Sequence, residues 1–127
     1  MILINGQADE KISVLDRGFL YGDGLFETIG IDHGRPGYLQ RHLDRLQLGC
    51  NKIGLPMPDL SLLKKEIDFV LGDIENAALK IVLTRGAGER GYKVPCHTNV
   101  TRILQVSERP AFPKQNHTHG IQIRVCN

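Results

Sequence analysis

The sequence predicts an α+β domain, an antiparallel sheet with two helices on one face, and three observations carry that prediction. Apolar residues recur at Leu39, Leu43, Leu46, Cys50 and Ile53, steps of four and three that stay on one side of a helix. Leu60, Leu63, Ile67 and Val70 or Leu71 repeat the pattern directly afterwards. Runs rich in β-branched and aromatic residues stand on both sides of the helical pair, at 25–31, 79–85 and 100–107.

Taken in order, Ile2-Leu3-Ile4 is a short β run ended by Asn5-Gly6, the pair that supplies positive φ at both centres of a type I′ turn. A hairpin therefore opens the domain, with its return leg through Gln7-Ala8 and on to Ile12-Ser13-Val14-Leu15. The stretch Asp16-Arg17-Gly18-Phe19-Leu20-Tyr21-Gly22-Asp23-Gly24 reads as a glycine-rich turn feeding the strand Leu25–Ile31. Asp32-His33-Gly34-Arg35-Pro36-Gly37 is a turn, and Tyr38 and Leu39 close its hairpin. Gly54-Leu55-Pro56-Met57-Pro58 ends the first helix, Asp59 N-caps the second and Gly72 stops it. Strands at 79–85 and 100–107 pair antiparallel across a glycine-rich loop, 86–95. The proline-containing, polar stretch 109–119 reads as a linker, and the alternation from Gly120 reads as a strand. The expected organisation is a domain over 1–108, a linker over 109–119 and, over 120–127, the first strand of a second domain.

At 127 residues, with 41% hydrophobic and 24% charged residues, the chain has the balance of a folded globular domain. Its net charge of +2 comes from interspersed acids and bases with no basic stripe, which argues against nucleic acid as a partner. No apolar run reaches the roughly 18 residues of a membrane span, and the N-terminus carries no signal-like segment, so the expectation is a cytoplasmic protein. Cys50, Cys96 and Cys126 are odd in number and widely spaced, which fits reduced thiols read as small buried or half-buried hydrophobes.

Few residues offer chemistry unaided. Arg41 and Arg45, four apart on the first helix, form either a solvated face or, with one of them turned inward, an anchor for a phosphate or carboxylate. The loop Gly86-Ala87-Gly88-Glu89-Arg90-Gly91-Tyr92 has glycines but leads to a strand, so it is no dinucleotide fingerprint; it is either a mobile tip or a presenter of Arg90 and Tyr92 to an anion. His117 and His119 would share one side of a strand, yet no third ligand accompanies them, so no metal is expected. Gly-x-Ser-x-Gly is absent, and no cysteine has an evident base.

Three blocks, Asp16-Arg17-Gly18 with Tyr21-Gly22-Asp23-Gly24-Leu25-Phe26-Glu27-Thr28, then His42-Leu43-Asp44-Arg45-Leu46, then Thr84-Arg85-Gly86 with Glu89-Arg90-Gly91-Tyr92, resemble in order and spacing the N-terminal part of fold-type IV pyridoxal-phosphate (PLP) enzymes. Among these, Arg-Gly-Tyr after the glycine loop is most similar to the 4-amino-4-deoxychorismate lyases; D-amino-acid and branched-chain aminotransferases are the runners-up. The resemblance implies the small N-terminal domain of such an enzyme, homodimeric and acting on a small molecule. It implies that Arg45 contacts the cofactor phosphate, that Phe26 and Thr28 face the cofactor, and that Arg90 and Tyr92 line the substrate carboxylate side. It also implies that the lysine carrying the cofactor lies beyond Asn127, since neither Lys80 nor Lys93 has its context. No catalytic residue is therefore expected within this sequence, and alone it would be inactive, or serve only as a dimerising module.

Overall fold

A computed structural model describes residues 1–126. The element order is β1 (Ile2–Ile4), β2 (Gln7–Ala8), α1 (Arg17–Tyr21), β3 (Gly24–Asp32), β4 (Arg35–Pro36), α2 (Leu39–Ile53), α3 (Leu60–Leu71), β5 (Ala77–Thr84), β6 (Thr101–Ser107) and α4 (Gln115–His119). The strands form one antiparallel sheet in the order β2-β1-β6-β5-β3-β4. Asn5 and Gly6 take φ of 52° and 83°, the left-handed states that asparagine tolerates and glycine adopts freely, and set Leu3 opposite Ala8.

Alternation then decides which side chains meet the helices. Along β3, Glu27, Ile29 and Ile31 are buried, while Phe26, Thr28 and Gly30 are exposed on the opposite face. The register Ile29 to Leu79 and Ile81 to Leu104 carries the buried row across β5 and β6 to Leu3 of β1. Leu43, Leu46 and Cys50 of α2, with Leu63, Ile67, Val70 and Leu71 of α3, close the core over that row. Each such leucine or isoleucine contributes about 2 kcal/mol by burial against the tenths of a kcal/mol that separate helix propensities, so packing dictates where these helices lie. The α2 helix rests on β3, and α3 on β6 and β1. Gly49 makes the first contact close: a Cβ there would stand 2.9 Å from Leu25 Cδ1. Asp59 caps α3 by accepting from the Leu62 N–H at 2.8 Å.

The expected strands and helix pair form, and five details differ. The turn after β3 is confined to His33-Gly34, because Arg35 and Pro36 already pair back as β4, so Tyr38 and Leu39 open α2 instead of closing that hairpin. Residues 12–15 carry no strand, because the hairpin's outer leg ends at Ala8 and the chain turns away with its backbone exposed. The stretch expected as a turn contains α1, capped by Asp16 through the Gly18 N–H at 2.8 Å. Residues 109–119 include the short helix α4, so His117 and His119, two apart on a helix rather than alternate on a strand, do not share a face. Residues 120–126 carry no regular structure: no strand lies beside them to take their backbone hydrogen bonds. Asn127, the last residue of the expected strand, lies outside the described residues. Cys50 is buried as expected, and its burial pushes the thiol pKa up, whereas Cys96 and Cys126 are exposed.

Candidate active site

Two neighbouring elements, β3 and α2, build a charged corner. Glu27 points from β3 toward α2, and Arg45 reaches down from α2 to meet it in a forked pair, Nε to Oε1 at 2.7 Å and Nη2 to Oε2 at 2.5 Å. His42, one turn earlier, places Nδ1 2.7 Å from the same Oε2. Burial alone would raise the Glu27 carboxyl pKa, but the hydrogen bonds from Arg45 and then His42 outweigh it and hold it below the usual range. The same pairing raises the Arg45 guanidinium pKa further. Leu25, Phe26, Glu27, Arg45, Leu46 and Gly49 line an open cleft of about 240 Å³ at this corner.

The Arg45 side chain is 69% exposed although its guanidinium turns toward the sheet. With Nε and Nη2 fixed on Glu27, Nη1 has no partner among the described residues. A charged, planar donor held in one orientation and open on one edge fits a phosphate oxygen, so the corner suits a phosphorylated cofactor. Arg41 behaves differently: it is exposed and lies over the Tyr38 ring at 5.5 Å, on the solvated face.

The remaining sequence-predicted residues fall in two places. Phe26 lines the cleft, and Thr28 follows it on the same exposed face of β3, opposite Lys80, whose ammonium stands 5.0 Å from the Phe26 ring centroid. Arg90 lies on the loop between β5 and β6, where a second hollow of about 490 Å³ is bounded by residues 87–90 and 93–97. Tyr92 is exposed on the same loop, its ring 5.3 Å from that of Tyr21. The two hollows share no lining residue, so Arg45 and Phe26 are brought together while Arg90 and Tyr92 stand apart from them.

Sequence reasoning passed over the partners that hold these residues. Nothing in the spacing of Glu27 and His42 says that a glutamate on a strand and a histidine on a helix will meet. The same holds for a second, buried cluster. Asp16 Oδ2 accepts from the hydroxyls of Thr84 at 2.9 Å and Thr101 at 2.8 Å. Asp23 Oδ2 accepts from Arg17 Nε at 2.9 Å and Arg85 Nε at 2.8 Å, and Arg85 first, then Arg17, pulls the Asp23 carboxyl below the usual range against the effect of burial. Arg85 also donates to the carbonyls of Gly54 and Ile53 at 2.9 and 2.8 Å, closing the C-terminal end of α2 where a cation is favoured.

Comparison with known proteins bears on the chain as a whole. The aminodeoxychorismate lyase of Vibrio harveyi is 31% identical over 99% of this chain and 46% of its own length. A D-alanine aminotransferase of Staphylococcus aureus is 28% identical over 96% of this chain and 47% of its own. Among solved structures, 4-amino-4-deoxychorismate lyase from Pseudomonas aeruginosa superposes with a TM-score of 0.88 at 38% identity, covering 95% of this chain and 44% of that one. A hypothetical aminotransferase from Mycobacterium tuberculosis in its PLP-bound form gives 0.65 at 25% identity, covering 81% and 36%. The chain thus spans less than half the length of these relatives. The model of the amino-transferase class IV family matches residues 24–126, and the chain belongs to that family.

Proposed function

We propose that this chain is the N-terminal portion of a PLP-dependent aminodeoxychorismate lyase, a homodimeric cytoplasmic enzyme that converts 4-amino-4-deoxychorismate to 4-aminobenzoate and pyruvate for folate synthesis. The observation that carries the proposal is the Arg45 guanidinium, locked on Glu27 with one nitrogen open at the cleft. The similarity to a lyase of P. aeruginosa over nearly the whole chain supports the choice of reaction.

In this reading Arg45 holds the cofactor phosphate, and Glu27 fixes the plane of the guanidinium, so the donor is oriented before binding and little conformational freedom is lost. His42 steadies the second Glu27 oxygen. Phe26 and Thr28 form the wall of the site, and Arg90 with Tyr92 receives the substrate carboxylate. When bound, PLP supplies an electron sink for the carbanion at the amine-bearing carbon. The lysine that carries it is assigned to the part of the protein outside this sequence, so these 127 residues alone are inactive. The division into a domain over 1–108, a linker over 109–119 and the start of a second domain over 120–127 belongs to the same proposal.

The test is turnover by the full-length protein. Release of 4-aminobenzoate and pyruvate in equal amounts, with no amino acceptor added, is the expected result. Amino-group exchange between D-alanine or a branched-chain amino acid and a 2-oxo acid, without 4-aminobenzoate, would replace the lyase by the aminotransferase alternative. Neither reaction, with dimerisation intact, would leave a non-catalytic dimerising module.

A further inference from the structure

We infer that Arg17 and Tyr21 of α1 form a clamp that positions the loop carrying Arg90 for the anionic end of the substrate, an inference that rests on the role proposed above for Arg90. Arg17 is only 3% exposed, a rare setting for a guanidinium. Pairing with Asp23 occupies its Nε alone. Its other two nitrogens go to consecutive carbonyls of the loop, Nη1 to Gly91 at 2.8 Å and Nη2 to Tyr92 at 3.3 Å. One turn further along α1, the Tyr21 hydroxyl accepts the Gly91 N–H at 3.2 Å, and the Tyr21 ring stands 4.9 Å from the Arg17 guanidinium and 5.3 Å from the Tyr92 ring. Both backbone groups of Gly91 are therefore held, and Gly91 is the residue next to Arg90.

The loop needs such a hold. It has no regular structure over 88–95, most of its side chains are exposed, and Gly91 sits at φ 122°, a backbone state that glycine leaves readily. A buried guanidinium must satisfy all its donors, and here two of them end on the backbone of this one loop. The clamp also has a fixed base: the Asp23 oxygen that takes Arg17 takes Arg85, and Arg85 holds the end of the helix that carries Arg45. Arg17 and Tyr21 are thus positioning residues, and the substrate end and the cofactor end of the site share one reference point.

The experiment compares Arg17→Lys, Tyr21→Phe and Arg90→Ala with the unmodified full-length protein. It measures KM and kcat for 4-amino-4-deoxychorismate, the Kd for PLP, and amide hydrogen exchange. Arg17→Lys keeps a cation beside Asp23 but loses the fork, and Tyr21→Phe keeps the ring but loses the acceptor. Exchange at residues 88–95 is expected to rise about tenfold in both while β3 and β5 keep their protection. KM should rise about tenfold in Arg17→Lys and less in Tyr21→Phe, with kcat within about twofold and the PLP Kd unchanged. Unchanged loop exchange in both variants overturns the clamp. So does an unchanged KM where Arg90→Ala raises it, and so does a PLP Kd that climbs in step with KM, which marks general loosening. If Arg90→Ala itself leaves KM unchanged, the role given to Arg90 fails and loop exchange alone decides the clamp.

Discussion

At the scale of single residues, one oxygen of Asp23 faces two buried guanidinium groups. Its folded pKa lies below the unfolded one, so the ionised carboxylate contributes stability that is fully present above about pH 4 and is lost as pH falls through the folded value. Urea midpoints measured downward from pH 7 should therefore drop steeply below pH 4, and Asp23→Asn, weaker throughout, should show a shallower acid decline. Equal slopes for the two proteins would refute this role. Arg45 is legible in the sequence through the His42–Leu46 segment, and the structure sets it at a cleft, but its support is not legible. Glu27 reads in sequence as one polar residue in an apolar strand, and His42 as one polar residue of a helix. Their meeting follows from the packing of α2 on β3, which depends on the close approach at Gly49 and on a core contributed by distant strands. Glu66 and Arg102 make the same point: they form a two-fold pair at 2.6 Å between α3 and β6, although each reads as an ordinary surface charge.

At the scale of elements, periodic stretches were legible and unpaired ones were not. Both long helices end where expected, because an apolar stripe and a cap are local properties of the chain. Residues 12–15 and 120–126 have strand composition, yet a strand exists only beside another, and alternation cannot say whether a neighbour is present. The junction from β5 into the long loop shows how tightly the local path is set. Gly86 has φ 80°, and a Cβ there would fall 1.9 Å from the Asn99 carbonyl oxygen. Its N–H donates to Thr84 Oγ1 at 3.1 Å and its carbonyl accepts from the Arg17 N–H at 2.8 Å. Gly86→Ala must displace backbone as well as strain φ, so a loss of about 3 kcal/mol or more is expected by urea denaturation. A loss under about 1 kcal/mol would mean that the loop can move aside without disturbing β6.

Across the whole molecule, one face of the sheet is closed by α2 and α3 while the other leaves Phe26, Thr28 and Lys80 open. No helix among the described residues is long and apolar enough to cross a membrane. In the proposed enzyme, this open face is where the rest of the protein completes the site, and the contribution of this chain reduces to holding one end of the cofactor and one end of the substrate in fixed relation. The measurement that tests this most directly is the PLP Kd of the full-length protein against that of Arg45→Ala. Losing a charged hydrogen-bond donor to phosphate should raise Kd by about thirtyfold, while the unliganded protein, with Glu27 left to His42, keeps its fold but unfolds at a lower temperature. An unchanged Kd with the fold intact would contradict the assignment of Arg45 as the phosphate anchor, and with it the site described around the Glu27 corner.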